Sequence, residues 1–239
     1  MKDKPLRIEQ ASVSFDVIEV FSDLSLEISR GEFVAVVGPS GCGKTTLLNL
    51  LSGFLKPSGG KVICSGRTRM VYQHDSLFPW QTAAQNIALG LRDLHSEVER
   101  DRQLKEMLRL INLEEFAAHY PHQLSGGMRQ RVELARALAG DTDVLLLDEP
   151  FSSLDYLTRL RLRRELVRIL EERPRTVVLV THDIEEAAQL ADRILVLSDR
   201  PAHICRELQV PIPRPRELTH PVVVETIHAI LAEFGLEQK

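Results

Sequence analysis

Residues 33–45 read Phe-Val-Ala-Val-Val-Gly-Pro-Ser-Gly-Cys-Gly-Lys-Thr, and this stretch decides the fold. The apolar run Phe33–Val37 has no polar alternation, which is typical of a strand buried on both faces. It leads directly into the pattern G-x-x-x-x-G-K-[ST], and an apolar helical pattern follows over residues 46–51. The glycines let backbone N–H groups turn toward an anion, and a helix N-terminus adds about half a positive charge. Strand, loop and helix together predict a phosphate-binding loop.

Two side chains complete this predicted loop. We expect Lys44 to reach the β- and γ-phosphates of a nucleotide, and the Thr45 hydroxyl to ligate Mg²⁺. The alternative is a glycine-rich turn that carries an incidental lysine. Because both the strand and the helix are present, the sequence favours the phosphate loop.

The rest of the chain alternates between strand and helix patterns. Three more unbroken apolar runs lie at residues 144–147, 177–180 and 194–197. Helical spacing of apolar residues covers 127–139 and 155–173, so the pattern predicts an α/β fold with a mostly parallel sheet. Near the N-terminus, residues 6–13 and 24–28 instead alternate apolar with polar, which predicts antiparallel strands with one solvated face.

The predicted organisation is a single domain over 1–239. Residues 1–85 and 142–198 form its β subdomain and nucleotide-binding core, and 86–141, which are charged and mainly helical, form an inserted lobe. The remaining segment, 199–239, is a proline-rich tail with an amphipathic helix at about 222–234.

Composition excludes several classes of protein. The 239 residues contain 30 Lys and Arg against 34 Asp and Glu, a net charge of −4, which argues against a broadly basic nucleic-acid-binding surface. Three widely spaced cysteines fit neither a disulfide scaffold nor a metal site, and favour a reducing, cytoplasmic setting. No apolar run approaches the ~18 residues that cross a bilayer, and the N-terminus lacks the apolar run of a signal peptide.

Polar side chains follow two of the predicted buried strands. Asp148 and Glu149 come directly after residues 144–147, which suits Asp148 to hold hydrated Mg²⁺ and Glu149 to accept a proton from water. His182 follows the run 177–180. Solvated acids and a structural histidine are the alternatives, but ligands of open α/β sheets bind at this edge, where the phosphate loop also lies.

A second candidate anion site begins at Ser125, where Leu-Ser-Gly-Gly-Met spans residues 124–128. Serine is a good N-cap, and two glycines leave backbone N–H groups accessible at the start of a helix. An ordinary capped helix explains the same residues. The pattern does not decide whether the two anion sites meet within one chain or across two.

Together these residues resemble an ABC-type ATPase, the nucleotide-binding subunit of an ABC transporter. In the family's order, residues 38–45 match its Walker A loop, 144–149 its Walker B motif and 124–128 its signature, with Met128 in place of the usual Gln. Gln73 matches the Q-loop, Asp155 the D-loop and His182 the switch histidine. The resemblance implies a P-loop NTPase core, RecA-like, with an N-terminal antiparallel β subdomain and an inserted helical lobe.

The resemblance also implies the site and its cofactor. Two ATP molecules, each with Mg²⁺, would lie between two head-to-tail subunits in a homodimer or heterodimer. The expected ATP-binding residues are Phe15, Gly38, Pro39, Ser40, Gly41, Cys42, Gly43, Lys44, Thr45 and Thr46. The facing subunit would add Ser125, Gly126, Gly127 and Asp155. Glu149, His182 and Gln73 would be catalytic, and Thr45, Gln73 and Asp148 would hold Mg²⁺.

Two of these residues, and Trp80, have alternative explanations. Phe15 would stack on adenine as an aromatic face, or belong to the core. Cys42 would be a thiol with a lowered pKa, or a small filler without a role in turnover. Trp80, in the stretch 77–80 where such proteins dock on their membrane partner, would be an interface anchor, or pack beneath the helical lobe. The arginine-rich stretch 159–168 is better explained as a solvated helix face than as a nucleic-acid site.

Short segments resemble the nitrate/sulfonate/taurine import branch of the family: 77–80, Met128, 198–201 and 210–216. This implies an ATPase at the cytoplasmic face of the cell membrane, with a separate integral-membrane permease and, indirectly, an extracytoplasmic substrate-binding protein. Nucleic acid is not an expected partner. The rivals are an ATPase of another transporter class, a soluble ABC ATPase of DNA repair or ribosomes, and a P-loop kinase.

Overall fold

The computed structural model describes residues 4–72 and 76–236, and all four unbroken apolar runs form strands in it. The strands are β1 (Leu6–Phe15), β2 (Ile18–Ile28), β3 (Phe33–Val37), β4 (Gly59–Cys64), β5 (Thr68–Val71), β6 (Val144–Asp148), β7 (Thr176–Val180), β8 (Arg193–Leu197) and β9 (Ile204–Gln209). The helices are α1 (Lys44–Leu51), α2 (Ala83–Ala88), α3 (Glu97–Leu110), α4 (Gly126–Leu138), α5 (Tyr156–Glu172), α6 (Ile184–Leu190) and α7 (Pro221–Glu233).

The main sheet has six strands in the order β5-β6-β7-β3-β8-β9. The first five are parallel, and β9 pairs antiparallel with β8 at the edge. Every residue of β3, β6 and β7 is buried, because apolar layers cover both faces of the sheet. The predicted α/β fold with a mostly parallel sheet is therefore confirmed.

A second sheet lies over one of these faces. Its order is β2-β1-β4, and both pairs are antiparallel. The inward side chains of β1 and β2, such as Ile8 and Phe21, pack with Val34 and Val36 of β3 and with Leu48 of α1. The predicted N-terminal antiparallel subdomain is confirmed, and α1 lies between the two sheets.

Helices fill the sequence between β5 and β6. Arg69 of β5 joins these helices to the main sheet. Its guanidinium donates to the carbonyl of Gly90, which follows α2 (2.7 Å), and to that of Arg136, near the C-terminus of α4 (3.0 Å). In the described part of this segment no strand forms, as the charged helical pattern indicated. The first helix begins at Ala83, and the proposed lobe boundaries 86–141 stay a prediction.

The proline-rich tail is tied to α6. Arg216, whose side chain is 1% exposed, donates to the carbonyls of Ala188 (3.3 Å), Val210 (3.1 Å) and Ile212. It thereby satisfies carbonyls at the end of α6 that lack helical partners. Strand β9 was not predicted, because most of its residues are exposed and carry no apolar alternation. None of the described helices is long and apolar enough to cross a bilayer.

Candidate active site

The phosphate loop forms between β3 and α1, as the sequence predicted. Gly43 has a φ of +120°, and a β-carbon there would lie 2.5 Å from Cγ1 of Val20, so only glycine fits this turn. Lys44, the first residue of α1, is 8% exposed. Its ammonium donates to the carbonyls of Gly38 and Pro39, each at 2.8 Å, and thus bridges the start of the loop.

The carboxylate pair lies at the same edge of the sheet. Strands β6, β7 and β3 are neighbours and parallel, so their carboxyl ends meet there. Asp148 ends β6 and is 1% exposed. Glu149 has a φ of +47°, a left-handed conformation that a non-glycine residue rarely adopts, and its N–H donates to the Val180 carbonyl at 2.9 Å. Such backbone strain is typical of functional sites.

Glu149 and His182 come together across this edge. The distance from Glu149 Oε1 to His182 Nδ1 is 3.2 Å. The Glu149 side chain is 16% exposed and His182 is 63% exposed, so the pair opens to solvent on the histidine side. The arrangement brings a proton acceptor and an imidazole together at the strand ends that carry the phosphate loop.

The donor set at this edge fits Mg²⁺ bound with a nucleotide. Thr45 lies exposed in the first turn of α1, and Asp148 is a buried carboxylate at the end of β6. Hydroxyl and carboxylate oxygens are the hard ligands that Mg²⁺ prefers beside phosphate oxygens. Gln73, the third predicted ligand, lies outside the described residues.

The start of α4 has the predicted form of an anion site. Ser125 is the N-cap, and its hydroxyl accepts from the backbone N–H of Met128 at 3.3 Å. Gly126 is exposed, and an added β-carbon there would find no neighbour closer than the Arg129 guanidinium at 3.9 Å. In the described part of the chain, no hydrogen bond joins residues 125–127 to the phosphate loop of the same subunit.

Asp155 and Phe15 are both at the surface. Asp155 is the N-cap of α5, and hydrogen bonds from Thr158 lower the pKa of its carboxyl. Phe15 ends β1 with 48% of its surface exposed, which argues against its being a core residue. Its exposed ring face suits stacking on a base.

For Cys42, the structure decides against a reactive thiol. The side chain is 2% exposed and packs among the apolar residues under the antiparallel sheet. Burial raises the pKa of this thiol, and the nearby Lys44 ammonium does not reverse the shift. A lowered pKa at the helix N-terminus is therefore wrong, since desolvation dominates, and Cys42 is a small buried filler.

Gln130 was missed by sequence reasoning. It lies on α4 at 6% exposure, and its side-chain amide donates to the Glu149 carbonyl at 3.0 Å and accepts from the Ser153 N–H at 3.1 Å. It thus links the helix that begins at Ser125 to the backbone of the strained Glu149. A polar residue at a buried helical position is the only sequence signal for this role.

A buried ion cluster behind His182 was also missed. Arg163 of α5 donates to Asp183 at 2.5 Å, and its guanidinium is 3.7 Å from Glu186, which is 3% exposed. Glu186 accepts the Thr181 hydroxyl at 2.5 Å. Burial raises the pKa of Glu186 to about 7. Although burial opposes it, the N–H of Glu186 and the Arg163 charge hold the pKa of Asp183 below its ordinary value.

The loop after Gln73 presents an aromatic pair. Trp80 is 69% exposed and Phe78 is 39% exposed, with ring centroids 5.3 Å apart, whereas Leu77 is buried. Packing of Trp80 beneath the helical lobe is therefore wrong. A groove beside this loop is lined by Tyr72 of the sheet edge and Arg92 of the helical segment.

Known proteins share this architecture. The sequence profile of the ABC transporter family matches residues 21–152, more than half of the chain. The fold resembles the solved dimeric structure of the ATP-binding cassette MJ0796 in a post-hydrolysis state with ADP and phosphate, with a TM-score of 0.79 and 32% identity. That likeness covers 87% of this chain and all of the other.

Curated relatives come from the import branch that the motifs resembled. The aliphatic sulfonates import ATP-binding protein SsuB 1 of Rhodococcus jostii is 47% identical over 82% of this chain and 80% of its own. The taurine import ATP-binding protein TauB of Roseobacter denitrificans is 38% identical over 86% of this chain and 82% of its own.

A third relative is longer. The nitrate import ATP-binding protein NrtC of Synechococcus elongatus is 46% identical over 86% of this chain, which spans 33% of the length of that relative. Family profile, fold and identity point to one family. The chain belongs to the ABC transporter family and has the fold of its ATP-binding cassettes.

Proposed function

We propose that this chain hydrolyses ATP. The observation that carries the proposal is the 3.2 Å contact between Glu149 and His182, at the sheet edge where the phosphate loop begins. Lys44 would bind the β- and γ-phosphates, while Glu149 accepts a proton from the attacking water and His182 donates a hydrogen bond to the γ-phosphate. The bond between the γ-phosphorus and its bridging oxygen then breaks, and ADP leaves with phosphate.

Three residues would hold the metal ion in this proposal: Thr45, Asp148 and Gln73. When bound, Mg²⁺ neutralises charge on the transferring phosphoryl group. The buried Asp148 and the first turn of α1 fix two of these oxygen atoms on rigid elements. Phe15, together with residues 38–46, would complete the contacts to ATP.

We further propose that two chains bind ATP head to tail, with Ser125, Gly126, Gly127 and Asp155 of one facing the phosphate loop of the other. Three observations support this: the accessible start of α4, the lack of hydrogen bonds between it and the phosphate loop of its own subunit within the described ranges, and the dimeric state of MJ0796. The partner would be an identical chain or a similar ATPase subunit.

Mixing two inactive variants tests this arrangement. Lys44→Ala removes the phosphate-binding ammonium, and Gly126→Asp places a negative charge where the partner's phosphate would lie, in space that the fold of its own chain leaves open. Each variant alone should be inactive, whereas a mixed dimer has one intact site. We expect ATP hydrolysis to reappear on mixing. If the mixture stays inactive while both variants fold and associate, the shared site is wrong.

We also propose that ATP turnover drives an importer through a separate integral-membrane permease at the cytoplasmic face of the cell membrane. The exposed Trp80 and Phe78 beside a groove support docking on a protein partner, since aromatic anchors dominate such interfaces. The relatives are named for import of nitrate, taurine and sulfonates, so the solute class we propose is a small oxyanion of this kind, delivered by an extracytoplasmic binding protein.

Co-purification of the chain from solubilised membranes tests whether it binds a membrane-protein partner. Tagged wild-type chain should co-purify with a polytopic membrane protein, and Trp80→Ala should reduce the recovery at least severalfold. Leu236→Ala is the control, because Leu236 is a 63% exposed apolar residue that follows α7, and α7 packs on α6 and β9 at the sheet edge opposite β5. Recovery of ribosomes or DNA in place of a membrane protein would contradict the proposal and favour a soluble ABC ATPase.

A further inference from the structure

Asn86 is a buried polar residue whose side-chain amide makes several hydrogen bonds. It lies in α2 with 0% of its surface exposed. Its Oδ1 accepts from the Phe78 N–H at 2.9 Å. Its Nδ2 donates to the carbonyls of Phe78 (3.2 Å), Gln81 (3.1 Å) and Thr82 (3.1 Å). All four contacts go to the loop that precedes the helix.

These contacts close the turn that carries Trp80. The Gln81 N–H donates to the Phe78 carbonyl at 3.0 Å, which makes residues 78–81 a β-turn, and Pro79 restricts φ at its second position. Thr82 then caps α2 through a reciprocal bond with Gln85. The side-chain amide of Asn86 therefore bonds the backbone at both ends of the turn, at Phe78 and at Gln81.

We propose that Asn86 is a positioning residue that holds Trp80 and Phe78 in the orientation in which they meet a membrane-protein partner. This inference rests on the proposed docking function of the loop. Asn86 itself is fully buried and touches no partner, so it acts only through the backbone of residues 78–82.

The chemistry of the site requires an amide. The oxygen must accept from an N–H while the two hydrogens of the nitrogen are shared among three carbonyls, and only the amide of asparagine or glutamine offers this set. Leucine would fill a similar volume but leave the Phe78 N–H and the Gln81 carbonyl without the partner that Asn86 supplies, and aspartate would keep the acceptor and lose both donor hydrogens. A residue retained only for packing would not need this hydrogen-bonding pattern.

The chain contains a single tryptophan, so fluorescence excited at a wavelength that tyrosine does not absorb reports on Trp80 alone. We expect Asn86→Ala and Asn86→Asp to lower the steady-state anisotropy of Trp80, because its turn becomes mobile. Amide exchange separates the two variants. In Asn86→Ala the Phe78 N–H should exchange about tenfold faster, since its acceptor is gone, whereas Asn86→Asp keeps that acceptor and the protection.

Ile87→Ala is the matched control. Ile87 is the next residue of α2, also 0% exposed, and it packs in the main core without bonding the loop. Its truncation should lower thermal stability and leave Trp80 anisotropy unchanged. The proposal is overturned if the Asn86 variants leave the anisotropy unchanged, or if Ile87→Ala lowers it equally. These measurements need no membrane partner, so failure of membrane capture by the wild-type chain would count against the docking function alone.

Discussion

Replacing Glu186 by Gln should change how the stability of this protein depends on pH. Glu186 lies in α6, four residues after His182, and is 3% exposed. Its carboxylate accepts the Thr181 hydroxyl, and burial raises its pKa from an ordinary 4.5 to about 7. Glutamine has nearly the same shape, can accept the same hydrogen bond and cannot ionise.

The sign of the effect follows from proton linkage. Below pH 4.5 the Glu186 carboxyl is protonated in both the folded and the unfolded chain. Between pH 4.5 and about 7 the unfolded chain ionises first, so the native state of the wild type loses stability as the pH rises. A carboxyl whose pKa moves this far on folding changes the free energy of unfolding by about 3 kcal/mol.

Urea denaturation at pH 5 and pH 8 measures this directly. The free energy of unfolding of Glu186→Gln minus that of the wild type should be more positive at pH 8 than at pH 5, by about 2.5 kcal/mol, because the unfolded carboxyl is already partly ionised at pH 5. Glu185→Gln, at an exposed position of the same helix, is the control and should show no such difference. If the Glu186→Gln difference is equal at both pH values, the carboxyl is already ionised at pH 5 and the reasoning is wrong.

Three further predictions concern buried polar groups and thiols. Gln130→Ala should lower the ATP hydrolysis rate about tenfold with little change in ATP affinity, because it frees the Glu149 backbone; an unchanged rate in a phosphate-release assay would contradict this. Alkylation followed by mass spectrometry should label the exposed Cys64 faster than the buried Cys42 in the native chain; equal rates would contradict the burial of Cys42. Arg216→Met should lower the free energy of unfolding by about 2–4 kcal/mol in urea denaturation, since it removes the donor to the carbonyls of Ala188 and Ala191; a loss below about 1 kcal/mol would contradict the role of Arg216 in tying the tail to α6.

The sequence predicted those parts of the fold that depend on local pattern. The unbroken apolar runs became buried parallel strands, because a strand covered on both faces needs apolar residues at every position. The phosphate loop lies at the predicted glycines, because Gly43 has a φ of +120°, which residues other than glycine rarely adopt. Helix α5 (Tyr156–Glu172) begins after its N-cap Asp155, as the periodicity indicated.

Other features depend on partners that are distant in the sequence. Edge strand β9 (Ile204–Gln209) has mostly exposed side chains and therefore shows no apolar pattern. Its backbone pairing with β8, which the sequence does not reveal, is what makes it a strand. Gln130 and Asn86 look like ordinary polar helix residues until their acceptors, which lie in other segments, are known. The thiol of Cys42 also depends on distant residues. Its neighbours in the sequence suggested a lowered pKa, whereas burial against the antiparallel sheet raises the pKa.

The rate of ATP hydrolysis by Glu149→Gln, compared with the wild type, tests the central claim most directly. Phosphate release and ATP binding should be measured on the same preparations, with Mg²⁺ present. If Glu149 is the base, hydrolysis falls at least ~100-fold while ATP still binds. Hydrolysis at the wild-type rate would show that the carboxylate 3.2 Å from His182 does not accept the proton of the attacking water.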